Sequence, residues 1–396
     1  MSDVTSSAPV DPRAAGLDPA ALDRLRAAFE QRIAAGRLPG AVMLIQRRGV
    51  LGCFEALGRL DPARDVPMRA DAIFRIYSMT KPIVSVAAMR FVEQGRLLLS
   101  DPVAKFLPEF AEVRVGVERD GELQLVPPRR PMTVHDLLRH TSGITYEFLA
   151  PSAVRRLYSA ARVWSLERDN AEASRQIAQL PLMHQPGSVW DYSRSTDVLG
   201  RLVEVLSGRQ LGEHLQETLF APLGMADTGF HVPPPQHDRI AEPFATDPDS
   251  GTAVQLSEIR RPMPRQSGGG GLVSSAADYA RFLQLMLNGG SLDGLRVLGH
   301  KTVEFMTADH LGRIPVDGDL LAPGHGFGLG FAVRLATGEA PVPGSPGAYA
   351  WGGIAGTSFF VDPQESLIAI LMLQAPGQRD ETAPLFRNLV YAALER

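Results

Sequence analysis

Strand signals gather at the two ends of this 396-residue chain, and that distribution constrains the fold more than any other feature. Near the N-terminus, "AVMLIQRRG" and "VLGCFEALG" read as two strands joined by a tight Arg-Arg-Gly turn, a predicted hairpin. Near the C-terminus, "GFGLGFAVRL" (326–335), "YAWGGIAGTSFFVDP" (349–363) and "ESLIAILMLQA" (365–375) read as three consecutive antiparallel strands. Between them, residues 100–266 carry short helices separated by Pro-rich connectors such as "VPPRRP" and "HVPPPQHDR". Amphipathic helices precede the first strands (17–40, with Asp18 as cap) and close the chain ("ETAPLFRNLVYAALER"). The simplest assembly is an α+β fold in which both ends share one antiparallel sheet flanked by helices. Residues 12–99 and 267–396 then form a discontinuous sheet domain, and 100–266 form an inserted, mostly helical lobe.

Bulk properties exclude several function classes. The formal net charge of −4 gives no reason to expect a nucleic-acid or membrane partner. No apolar run reaches the length of a membrane span, and the N-terminus lacks the apolar core of a secretory signal, so a cytoplasmic location is expected. Cys53 is the single cysteine, which rules out an intramolecular disulfide; an inert, partly buried thiol is the expectation. His135 and His140 are five residues apart and do not converge on one helical face, so no metal is expected, and no cofactor. There is no G-x-S-x-G elbow. Gly268–Gly271 lacks the Lys-Ser/Thr that would follow in a phosphate loop, and Ser142 in "HTSG" reads as an exposed turn residue.

The segment "RIYSMTKPIVS" (75–85) is where chemistry can begin. Pro82 is tolerable only in a first helical turn, where its missing N–H costs nothing, so the predicted helix starts at about Thr80 and Gly95 closes it. Ser78 and Lys81 then sit three residues apart across that turn, within mutual reach. A serine hydroxyl needs a base to become a nucleophile, and a desolvated lysine can supply one. Only three of the 40 basic residues are lysines: Lys81, Lys105 and Lys301. A position that keeps Lys against this background needs something the permanently charged Arg cannot give. A capping serine beside a solvated lysine is the ordinary alternative.

Other motifs follow in order: "VHDLLRHTSGI" (134–144), "PGSVWDYSRSTDVLG" (186–200), "APLGMADTGF" (221–230), "GGGLVSSAADYARF" (269–282) and Trp351-Gly352-Gly353. From about Ala41 to the end, the chain resembles the serine β-lactamase and penicillin-binding superfamily. Where class C β-lactamases carry Tyr-x-Asn, this chain has Tyr192-Ser193-Arg194; where they carry Lys-Thr-Gly, it has Trp351-Gly352-Gly353. That combination is similar to the family VIII carboxylesterases.

The resemblance implies Ser78 as nucleophile, with Lys81 and Tyr192 sharing the role of base, either as a Tyr192 phenolate beside Lys81 or as neutral Lys81 relaying through Tyr192. It implies an oxyanion hole from the backbone N–H groups of Ser78 and Ile354. Trp351, Gly352 and Gly353 would line the substrate site, the glycines small so that an acyl group can lie against the strand. Trp351 in place of a lysine suits a neutral ester, although Arg194 offers a cation from another direction. The expected activity is hydrolysis of short-chain carboxylic esters, with a small-molecule ester as the only expected partner. The alternatives are acyl transfer or amide and β-lactam hydrolysis on the same fold, or a non-catalytic binding or sensor protein. A binder has no use for a base, which disfavours the last.

Overall fold

The computed structural model describes residues 10–395. Helix α1 (Pro19–Ala34) starts where the sequence predicts, with the Asp18 carboxylate accepting from the Ala20 N–H. Strands β1 (Gly40–Arg47) and β2 (Val50–Asp61) form the expected hairpin. Its turn places Arg48 and Gly49 at φ 54° and 77°, the left-handed pair that lets two twisted strands meet in two residues. The short strand β3 (Val66–Pro67) follows β2.

Helix α2 (Thr80–Glu93) begins at Thr80, and Gly95 follows its end at φ 69°. Two further helices matter for the site: α3 (Ser195–Ser207) and α4 (Ala276–Leu287). The C-terminal region supplies β4 (His325–Phe327), β5 (Ala332–Arg334), β6 (Tyr349–Gly352), β7 (Ser358–Asp362), β8 (Leu367–Met372) and α5 (Arg379–Ala392).

The eight strands make one antiparallel sheet in the order β4-β5-β6-β7-β8-β1-β2-β3. Val42 of β1 pairs with Met372 of β8, so the two chain ends do share a sheet. Side chains alternate across it. Met43, Ile45, Ala369 and Leu371 face Leu25 and Phe29 of α1 and Phe386 and Val390 of α5. Val42, Leu44, Ile368, Ile370 and Met372 face the other way, into a core shared with α2, α3 and α4. That core runs without a break from the sheet into the helical segment, through Ile83 and Ala87 to Val134, Leu137, Val198 and Leu202. Ser78 stands at the end of a helix clamped on both sides by this core.

Two of the three predicted C-terminal strands are each a hairpin. Residues 326–335 fold back at Gly330 (φ 100°), and 349–363 fold back at Gly356 (φ 101°), conformations that a residue with a Cβ rarely adopts. Gly330 also lies against α2, where a Cβ would come within 2.6 Å of Ser85 Oγ. Within the middle segment, Val115–Arg119 and Glu122–Val126 form a hairpin rather than part of a helical array. Its Asp120-Gly121 turn, both residues at positive φ, is a strong hairpin signal in the sequence.

Candidate active site

Ser78 lies on a single 3-10 turn, Tyr77–Met79, that runs directly into α2. Tyr77 holds φ 42°, a left-handed conformation that costs a non-glycine residue about 1–3 kcal/mol. The turn is held from outside: the Tyr77 hydroxyl accepts from Ser257 N–H at 2.9 Å, and Ile76 N–H donates to Leu272 O at 3.1 Å. The strained link presents Ser78 at the helix start, where backbone N–H groups lack intrahelical acceptors.

Lys81 follows in the first turn and is completely buried. Its Nζ lies 3.2 Å from Ser78 Oγ, 3.0 Å from Tyr146 Oη and 2.7 Å from Gly269 O. It forms no ion pair among the described residues; the nearby Tyr192 offers it a ring face, 4.5 Å from the centroid. Burial without a paired carboxylate lowers its pKa from the usual 10.5 to about 7, with the Asp197 charge resisting and the Arg194 charge assisting. A neutral amine has two hydrogens and one lone pair. With the hydrogens directed at Gly269 O and Tyr146 Oη, the lone pair is left for the Ser78 hydroxyl.

Tyr192 is buried at the same point, in an aromatic group with Trp190, Tyr146, Phe327 and Trp351. Burial raises its pKa well above that of a free phenol, against the pull of the Ser78 hydroxyl and the Trp351 N–H. Trp351 Nε1 donates to Tyr192 Oη at 3.1 Å, so the tryptophan both walls the cavity and fixes this hydroxyl.

The strand end carrying Trp351-Gly352-Gly353 abuts the serine turn. A Cβ on Gly353 would stand 2.6 Å from Ile76 O and 2.4 Å from Thr357 Oγ1. Gly353 is therefore small because the strand end must approach the Ile76 backbone, a reason that adds to its place on the cavity wall beside Ser78. Gly352 faces its own hairpin, 3.0 Å from Thr357 O by the same measure. The approach sets Ile354 beside the Ser78 turn, and the structure records no acceptor for either residue's N–H among the described residues.

Arg194 departs from the expectation of a free substrate-binding cation. It is 7% exposed, is bonded through two nitrogens to the Glu147 carboxylate, and reaches Asp197 at 3.4 Å. Its guanidinium also stacks 4.9 Å over the Tyr146 ring. Burial opposes ionisation of Asp197, but the charges of Arg265 and Arg194 and the Ser267 hydroxyl overcome it and hold the carboxyl ionised. Ser142 is buried rather than exposed and bonds Ser195 Oγ at 2.7 Å. His140 is buried against Ser193, and His135 pairs with His310. Burial pushes the Cys53 thiol up to about 12, as suits an inert group.

Tyr146, Asp197 and Gly269 are the site residues that the sequence reading missed. Tyr146 lies two residues beyond the "VHDLLRHTSGI" segment, and Phe148, spaced i, i+2 from it, stacks on its ring at 4.6 Å. That aromatic pair was the one signal available. The four glycines at 268–271 pass between α3 and the serine turn. A Cβ on Gly268 would stand 2.5 Å from Thr196 O, and one on Gly270 3.6 Å from the Tyr77 backbone. This close passage delivers the Gly269 carbonyl to Lys81.

Two cavities meet at Ser78. One, of about 410 Å³, is bounded by Tyr192, Trp351, Phe360 and the N-terminal part of α5. The other, of about 220 Å³, is bounded by Tyr146, Trp164, Phe230, Met263 and Gly269. Phe148 and Ile354 border both. A larger concavity of about 560 Å³ near Arg201 and Glu204 holds neither Ser78 nor Lys81. No helix among the described residues is long and apolar enough to cross a membrane.

The chain matches the family model described as Beta-lactamase over residues 25–392. It is 36% identical to Esterase EstB of Burkholderia gladioli, with 98% of this chain and 100% of that protein covered. It is 27% identical to Monacolin J acid methylbutanoyltransferase of Aspergillus terreus, covering 97% and 98%. The solved structure of "EstCE1, a hydrolase with promiscuous acyltransferase activity" superposes with a TM-score of 0.79 at 28% identity, covering 94% of this chain and 98% of that one. These matches span both chains almost end to end, and the site lies on the motifs that carry the resemblance. The chain belongs to the beta-lactamase family and is a serine hydrolase.

Proposed function

We propose that this protein hydrolyses carboxylic esters through an acyl-enzyme on Ser78, with neutral Lys81 as the base that takes the serine proton. One observation carries the reading: a fully buried amine, 3.2 Å from Ser78 Oγ, with a pKa brought to about 7. At neutral pH about half of such lysines are unprotonated, whereas Tyr192, held high by burial, stays a phenol. This favours neutral Lys81 over a Tyr192 phenolate.

The steps follow from the bonding. Lys81 Nζ takes the Ser78 proton as Oγ attacks the ester carbonyl carbon. The carbonyl oxygen gains the charge and is met by the N–H groups of Ser78 and Ile354. Collapse of the tetrahedral species breaks the bond to the alcohol oxygen, which takes the proton back from Lys81 while the Tyr192 hydroxyl, bonded to Ser78, donates a hydrogen bond to it. Water then repeats the sequence on the acyl-enzyme. Because Tyr192 serves the leaving oxygen, its cavity is the alcohol side, and the Tyr146–Phe230 cavity is the acyl side. Trp351 puts an apolar wall beside the reacting group, which suits an ester that is neutral there. Short-chain acyl groups fit the smaller cavity easily.

Acyl transfer to an alcohol is a second reading. The roomier cavity on the alcohol side favours it, as do relatives described as acyltransferases. A nitrophenyl ester chain-length series, run beside a chromogenic cephalosporin and with and without an added alcohol acceptor, tests both readings. Ester turnover that exceeds cephalosporin turnover and ends with Ser78→Ala is expected. Turnover of neither class would refute the proposal, and a new ester formed in preference to free acid would establish transfer.

A further inference from the structure

A second cluster of ionisable groups lies immediately before Tyr192 in the chain. His184, Asp191 and Asp317 each offer one ligand atom, and these atoms all lie within 4.8 Å of one another. His184 Nε2 stands 3.5 Å from Asp317 Oδ2 and 3.9 Å from Asp191 Oδ2. Those separations are too long for good hydrogen bonds. They are near the ~3.4 Å that two ligands take around a tetrahedral ion bound at about 2.0–2.1 Å. Asp191 is 1% exposed, and its Oδ2 has no hydrogen-bond partner; His184 Nε2 has none either.

Arg155 accounts for part of the charge only. Its Nη2 bonds Asp191 Oδ1 at 3.1 Å and Asp317 Oδ2 at 2.7 Å, while Nε and Nη1 are committed to Thr145 Oγ1 and Ala150 O. Two carboxylates against one guanidinium leave one negative charge for a protonated His184 or a bound cation to balance. The unpartnered oxygen of Asp191 is the one facing the histidine.

The three residues are held in place by their backbones. Trp190 N–H donates to Pro315 O at 2.8 Å, and Asp317 N–H returns to Trp190 O at 2.8 Å, which locks the two carboxylates side by side. Met183 N–H bonds Gly143 O at 2.6 Å, and a Cβ on Gly143 would stand 2.2 Å from His184 O, so the histidine backbone is pressed against that turn.

We propose that His184 Nε2, Asp191 Oδ2 and Asp317 bind one divalent cation of the zinc class, with water completing the coordination on the half-open Asp317 side. One imidazole with two carboxylates favours zinc over magnesium, which prefers oxygen ligands and retains its waters. The ion ties the Trp190–Tyr192 segment to the 315–317 loop beside the catalytic hydroxyl. The site does not depend on the esterase reading.

Isothermal titration of the chelator-stripped full chain with zinc chloride, and separately with magnesium chloride, tests the proposal. A saturable 1:1 zinc step is expected, with no matching magnesium step. His184→Ala and Asp317→Asn should each weaken zinc binding at least tenfold while circular dichroism shows an unchanged fold. No saturable zinc step would overturn the proposal. So would a step that both variants leave intact, which would place the zinc elsewhere, or magnesium binding as tight as zinc.

Discussion

Two buried basic side chains lie within the same site, and they differ in what surrounds them. Lys81 has a hydroxyl, a phenol and a carbonyl for partners, and its pKa falls to about 7. Arg194 is also buried but sits between the Glu147 and Asp197 carboxylates and stays charged. Burial alone does not make a reactive group. Burial without a paired counter-ion makes a base, and burial with two carboxylates makes scaffold. The neighbouring ion network still tunes the lysine, because Asp197 raises its pKa and Arg194 lowers it.

The comparison fails first if the lysine's charge is all that matters. Ser78→Ala should cost on the order of 10⁴-fold or more in kcat, and Lys81→Arg should fall as far as Lys81→Ala, on the order of 10³-fold. Steady-state kinetics and a mass measurement for the acyl adduct check both; an active Lys81→Arg enzyme would remove Lys81 as base. On the other side, Arg194→Met leaves Glu147 and Asp197 short of a counter-charge. It should cost about 3–5 kcal/mol in denaturant unfolding, and an unchanged unfolding midpoint would show that Arg194 is not the clamp described.

The pH dependence sharpens the link between the two. If Lys81 is the base, as proposed, it must be unprotonated to act, so kcat/KM should rise with pH through about 7. Asp197→Asn removes a charge that favours protonated Lys81, so the rising limb should move to lower pH; movement to higher pH would reverse the assigned coupling. The smallest effect belongs to Trp351→Phe, which keeps the apolar wall and loses the bond to Tyr192 Oη. One such bond is worth about 1 kcal/mol, or about fivefold in kcat/KM.

Much of the frame was legible in the sequence because its signals are local. The β1–β2 hairpin, the cap at Asp18 and the start of α2 at Thr80 depend on residues only a few positions apart. The two hairpins misread as single strands show the limit. At Gly330 and Gly356 the sequence admits a glycine in extended or left-handed form, and packing against α2 and the 373–375 segment selects the fold-back.

The sequence by itself determined that Ser78 and Lys81 lie three residues apart at the start of a helix, because Pro82 belongs in a first α-helical turn. Its motif order brought Tyr192 and Trp351 into the same account. Tertiary structure alone decided that Lys81 is dry and unpaired, that Gly269 O and Tyr146 Oη receive its hydrogens, and that Arg194 is already neutralised. The Lys81 contacts depend on segments 65 and 188 residues away, and the Arg194 pairing on one 47 residues away, meeting across the core. A pKa belongs to that assembled surrounding and not to the residue that carries it.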